Sequence, residues 1–242
     1  PQLTDPALAR TVWAQTVKAA DANYVPGKFT TFAGFEWTSN PQQRNLHRVV
    51  VFRDTAKLPD LVLSALDSDD PEVLWKWMGD QRAKGSTLFA IPHNGNASDG
   101  RMFELLKFDG KPIDAAYNKT RAENEPLYEI TQIKGTSETH PDLSPNDEFA
   151  NFERWDFGNF ANPVVPKQQD MLQFEYARAA LKNGLRLEAK LGVNPFKFGM
   201  IGSTDTHTGM SSFDEDNFFG KVPSSEPSPE RWSEAFFMKA DK

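Results

Sequence analysis

Short runs of β-branched and aromatic residues alternate along this chain with segments that read as helices. "KFTTFAGFEW" (28–37), "HRVVVFR" (47–53), "STLFAIPH" (86–93), "PLYEITQIKG" (126–135) and "PFKFGMIGS" (195–203) predict strands. "TDPALARTVWAQTVKAADA" predicts a helix, with Asp5 suited to the N-cap, Pro6 to the first turn, and Leu8, Val12, Trp13 and Val17 on one face. Asp70-Pro71 repeats that start in "DDPEVLWKWMGDQRAKG", which ends at Gly85, and a third helix is predicted over 170–192 with Gly192 as its stop. Strands separated by helices predict an α/β fold with a mainly parallel sheet, either an open doubly wound sheet or a barrel. No internal repeat or linker divides the chain, so residues 1–242 are expected to form one domain.

The chain has four histidines, and all of them fall at the edges of those strands or in the turns just beyond. His47 opens one strand and His93 closes another; His140 follows the 126–135 strand and His207 follows the last. Glu36 and Asp205 sit at strand ends too, in "GFEWTS" and "GSTDTH". In parallel α/β architectures the loops after the strands share one rim, where side chains distant in sequence converge. Taken singly, each histidine also reads as a hydrogen-bonded structural residue. Glu36 has an alternative as the partner of Arg44 or Arg48, and Asp205 as the cap of a following turn. Beside His93, "IPHNGNASDG" adds Asn94 and Asn96, whose amides suit either substrate oxygens or Asx turns.

Composition narrows the chemistry. There is no cysteine, so a metal would have to be held by His, Asp and Glu, a donor set suited to Zn, Mn or Fe. A formal net charge of −7 argues against a nucleic-acid partner and favours a site that recruits cations. No apolar run is long enough to span a membrane. "GSTDTHTG" lacks the Gly-Lys-Ser/Thr ending of a phosphate loop, and neither Ser203 nor Ser211 sits in a Gly-x-Ser-x-Gly elbow. "DEDNFFG" lacks the spacing and closing Glu of a calcium loop.

Together, "FTTFAGFEWTS", "NLHRVVVFRD", "AIPHNGN", "EITQIKGTSETHPDLSPNDEFA", "MLQFEYARAALKNGL" and "NPFKFGMIGSTDTHTG" resemble the DUF3604 family, which is related to the polymerase-and-histidinol-phosphatase (PHP) metal hydrolases. The resemblance implies a distorted (β/α)7 barrel, incomplete here at its N-terminal side, with about two or three divalent ions (Zn, Mn or Fe) at one rim. It implies Glu36 as a bridging carboxylate, His47 and His93 as further metal ligands, and Asp205 with His207 as the closing pair. Asp205 is also the expected general base, while Asn94, Asn96, Lys134 and His140 are expected to meet a small anionic substrate. Glu138 is a further candidate. No His-x-His precedes Glu36, so the chain is expected to be an internal piece of a longer protein. The implied activity is metal-dependent hydrolysis of a phosphate ester, with amide hydrolysis or a non-catalytic metal-binding module as alternatives. The family resemblance also hints at a periplasmic or secreted setting.

Overall fold

The computed structural model describes residues 4–160 and 165–209, together with 214, 216, 220, 221 and 229. The chain divides into two compact units, Pro1–Ile201 and Gly202–Lys242. Among the described residues there are four α-helices: α1 (Pro6–Asn23), α2 (Pro71–Ala83), α3 (Ala115–Asn124) and α4 (Ala177–Leu191). Six strands, β1 (Gly34–Trp37), β2 (Arg48–Phe52), β3 (Leu88–Pro92), β4 (Leu127–Gln132), β5 (Gly135–Thr136) and β6 (Gly199–Gly202), form two three-stranded sheets. Their orders are β1-β2-β3 and β5-β4-β6.

The helix starts follow from capping. The Asp5 carboxylate accepts from the Ala7 N–H at 2.9 Å and that of Asp70 from the Glu72 N–H at 2.8 Å, each with proline in the first turn. Gly192 ends α4 in the left-handed region, φ +78°, where a side chain would be strained. The predicted start at residue 170 is early by several positions, because residues 172–174 form a 3-10 turn and α4 begins only at Ala177.

The mainly parallel sheet expected from the sequence is not formed among the described residues. β1 pairs antiparallel with β2, β2 antiparallel with β3, and β4 antiparallel with β5. Between β1 and β2 the chain has only residues 38–47, and a parallel pair needs a crossover of about a dozen residues or more. Phe52 lies opposite Leu88, so the excursion through α2 leaves and re-enters the sheet at the same end. A mixed α/β fold is therefore present, but no closed barrel is formed among the described residues.

Alternation along β2 and β3 sends Val50, Phe52, Leu88 and Ala90 to one face. There they pack with Trp37 against Trp13 of α1 and Leu74, Trp75 and Met78 of α2. Each fully buried large side chain contributes about 1.5–3 kcal/mol. A second core joins Tyr128 of β4 with Met102, Phe103, Ala177, Ala180 and Phe196. Arg48 is also on the inward face of β2, 1 % exposed, and is neutralised by the buried Glu125 at 3.0 Å. Glu125 accepts from Trp75 Nε1 at 2.8 Å as well and lies 3.1 Å from Arg121. Burial opposes its ionisation, yet the two guanidinium groups hold its carboxyl below the usual range.

Candidate metal centre

Strand direction decides which side chains meet. Because β2 runs against β1 and β3, the residue before β2 lies beside the residues that end its neighbours. His47 and His93 flank the paired ends of β2 and β3, and the His93 N–H donates to the His47 carbonyl at 3.4 Å. Glu36 lies opposite Val49, two positions from His47, so the period of two puts Glu36 and His47 on one face. That is the face turned away from the Trp37–Val50–Phe52 core.

The three side chains converge. Glu36 Oε1 is 2.8 Å from His47 Nδ1 and 3.1 Å from His93 Nε2, and the imidazole rings stand edge-on with centroids 5.5 Å apart. One ligand atom from each residue lies within 4.8 Å of the others. An ionised carboxylate only accepts, so His93 carries its proton on Nε2 and donates to Glu36. His93 Nδ1 is then buried with no hydrogen-bond partner. The short His47–Glu36 approach is not aligned as a hydrogen bond, and both ring nitrogens of His47 are buried without one. Burial disfavours the ionised form of Glu36, but the two imidazoles outweigh it and hold the carboxyl far below its usual range. Burial lowers His47 below the ordinary histidine value despite the neighbouring carboxylate; His93 and the Lys134 ammonium push the same way.

The alternative partners of Glu36 are engaged elsewhere. Arg44 faces Asp99 at 3.8 Å and donates to Gln42, while Arg48 is bound to Glu125. Asn94 follows His93 in the left-handed region, φ +51°, a conformation asparagine tolerates. Its Oδ1 accepts from Gln132 Nε2 at 2.7 Å, and Gln132 Oε1 in turn accepts from the Lys134 N–H at 2.8 Å. That relay fixes the Asn94 amide, and nothing in the sequence singled out Gln132 beyond its place at a strand end. Asn96 is committed to the fold: its Nδ2 donates to the carbonyls of Lys134 and Trp155, and its Oδ1 accepts from Ser137. The Lys134 ammonium lies over the Phe160 ring, 5.7 Å from its centroid. His140 accepts the Asp142 N–H at Nδ1 and bonds Asp156 through Nε2 at 3.0 Å. Glu138 forms a salt bridge with Arg178 at 2.6 Å.

Asp205 and His207 belong to the second unit, where they pair at 3.0 Å. Asp205 Oδ2 also accepts from the Lys221 ammonium at 2.6 Å, and the His207 N–H donates to the Lys221 carbonyl at 2.8 Å.

The model of one family, described as a protein of unknown function (DUF3604), matches residues 2–241. The chain belongs to the DUF3604 family. Neither a curated protein nor a solved structure matches it. No helix among its described residues is long and apolar enough to cross a membrane.

The Glu36–His47–His93 group of this DUF3604 chain suits a divalent cation. Two donors that each lie about 2.0–2.1 Å from a shared ion are themselves roughly 3 Å apart, as the two measured separations are. Each buried imidazole nitrogen left without a partner costs about 1–3 kcal/mol, a penalty that coordination relieves where it uses that nitrogen. No cysteine is present, so no thiolate competes, and the donors of this group are nitrogen and oxygen.

Proposed function

We propose that this chain carries part of the active centre of a metal-dependent hydrolase of PHP type, acting on a phosphate ester. The observation behind the reading is the convergence of Glu36, His47 and His93 within 4.8 Å from two antiparallel strand junctions. When bound, a divalent ion of the Zn, Mn or Fe class would polarise the scissile bond and lower the pKa of a water toward neutrality.

In this reading Glu36 provides the anionic donor and stays ionised at every ordinary pH. His47, kept neutral by burial, offers a ring nitrogen without competition from a proton. His93 would complete the set as its other tautomer, with the ring proton on Nδ1 and the Nε2 lone pair turned to the ion. Lys134, whose charge reaches His47, orients an anionic substrate, with the Asn94 amide held in place beside His93 by Gln132. Asp205 with His207 forms a further donor pair, and Asp205 is the proposed proton acceptor; cation uptake there would have to displace the Lys221 ammonium.

The test is metal content by elemental analysis, followed by an aryl phosphate and aryl amide panel before and after stripping with chelator. Phosphate-ester turnover that vanishes on stripping and returns with added Zn or Mn supports the proposal. Turnover unchanged by stripping overturns it. Amide turnover alone shifts the substrate class, and bound metal with no turnover leaves a metal-binding module.

A further inference from the structure

A cavity of about 150 Å³ lies against α4, on the turn that follows β5. Three cations of α4, Arg178, Lys182 and Arg186, line it at spacings of four residues, so they form one stripe along the helix. Like charges at that spacing destabilise a bare helix. Among the described residues the lining contains no carboxylate, in a chain with 34 acidic residues. Arg178 is balanced from outside the cavity by Glu138 and Asp147, both at 2.6 Å. Lys182 and Arg186 are exposed and have no acidic partner among the described residues.

The neutral groups of the lining are donors set in place. Asn183, 6 % exposed, accepts from Arg186 Nη1 through Oδ1 at 3.2 Å, which leaves its amide N–H groups to donate. The hydroxyls of Thr139 and Ser144 bond to each other at 2.8 Å, a contact that uses only one of their two protons. Two uncompensated cations, an oriented amide and a spare hydroxyl proton thus surround a space large enough for several waters.

We propose that this cavity binds a phosphate-type oxyanion, either free phosphate or the phosphoryl group of a small molecule. Lysine supplies a compact charge and arginine a planar fork, the pair of chemistries that recognises phosphoryl oxygens. A polyanion such as nucleic acid is disfavoured by the net charge of −7. The site is separate from the Glu36 centre and uses no metal, so it stands independently of the proposed hydrolase activity.

Isothermal titration of the chelator-stripped protein with inorganic phosphate, and separately with a short alkyl phosphate monoester, tests it. Saturable one-to-one binding of either supports the site; tighter phosphate identifies the free ion as ligand, and a tighter monoester a phosphorylated molecule. Lys182→Ala and Arg186→Ala should each weaken binding about tenfold, and the double variant should abolish it. Both positions are exposed, so the fold should survive, as an unchanged melting temperature would verify. Thr139→Val should weaken binding at constant charge. Lys76→Ala, on α2 and paired with Asp80, should have no effect. Absence of saturable binding, wild-type affinity in the double variant, or equal loss in Lys76→Ala overturns the proposal.

Discussion

Replacing Glu36 by glutamine isolates the charge at the candidate metal centre, since volume and one carbonyl oxygen are kept. In metal-free protein the carboxylate receives the His93 N–H at 3.1 Å and lies 2.8 Å from His47 Nδ1. A hydrogen bond to a charged group contributes about 1.5–3 kcal/mol. The Glu36 side chain is 30 % exposed, so solvent screening reduces the expected loss to about 1–2 kcal/mol. For a chain of this size that lowers the melting temperature by roughly 2–8 °C. The larger effect lies in the response to metal. A hundredfold excess of Zn or Mn over its dissociation constant stabilises the native state by about 2.7 kcal/mol, roughly 5–10 °C. Wild-type protein should show that rise by differential scanning calorimetry, and chelator should reverse it. Glu36→Gln should start lower and rise little or not at all. A variant that retains the full metal-induced rise would refute the assignment of Glu36 as a ligand.

Glu125→Gln should cost about 3–5 kcal/mol in urea unfolding, because Arg48 and Arg121 would be left as buried, uncompensated charges; a cost under 1 kcal/mol would contradict that. Gly95→Ala should cost about 1–3 kcal/mol, since its Cβ would run into the Glu175 carbonyl and the Tyr128 hydroxyl. Gly79→Ala within α2 meets open space and should instead stabilise by about 0.5–1 kcal/mol, which the same unfolding assay would show. Burial raises the Glu175 carboxyl to about 6 although Lys167 lies 2.7 Å away. The folded state then binds its proton more tightly than the unfolded state, so this group's contribution, fully present below pH 4.5, falls by about 2 kcal/mol as pH rises through 6 and beyond. Lys167→Met should therefore destabilise strongly at pH 8 and much less at pH 5, measured as paired unfolding curves.

Some elements were legible because local chemistry alone determines them. Asp5-Pro6 and Asp70-Pro71 announce helix starts through capping, and Gly192 announces a stop through its left-handed backbone. Strand direction was not legible, since a period of two reads the same either way along the chain. In a parallel sheet His47, which opens its strand, would lie at the opposite end from His93, which closes its own. They meet because β2 is reversed, a point the ten-residue connection at 38–47 could have revealed. Glu125 and Glu175 were not legible in the sequence because nothing local marks a carboxylate as buried. Arg48 did carry a signal: it alternates with Val50 and Phe52 on the inward side of β2, where an arginine requires a counter-charge.

Arg48 and His47 are consecutive, and that adjacency has a mechanical consequence. A strand displaced by a single position presents the opposite set of side chains to each surface. Such a slip would tear the guanidinium from Glu125 while swinging the imidazole away from Glu36. The buried ion pair thus works as an indexing tooth, engaging on one surface of the strand only when the donor on the other surface is aimed at its neighbours.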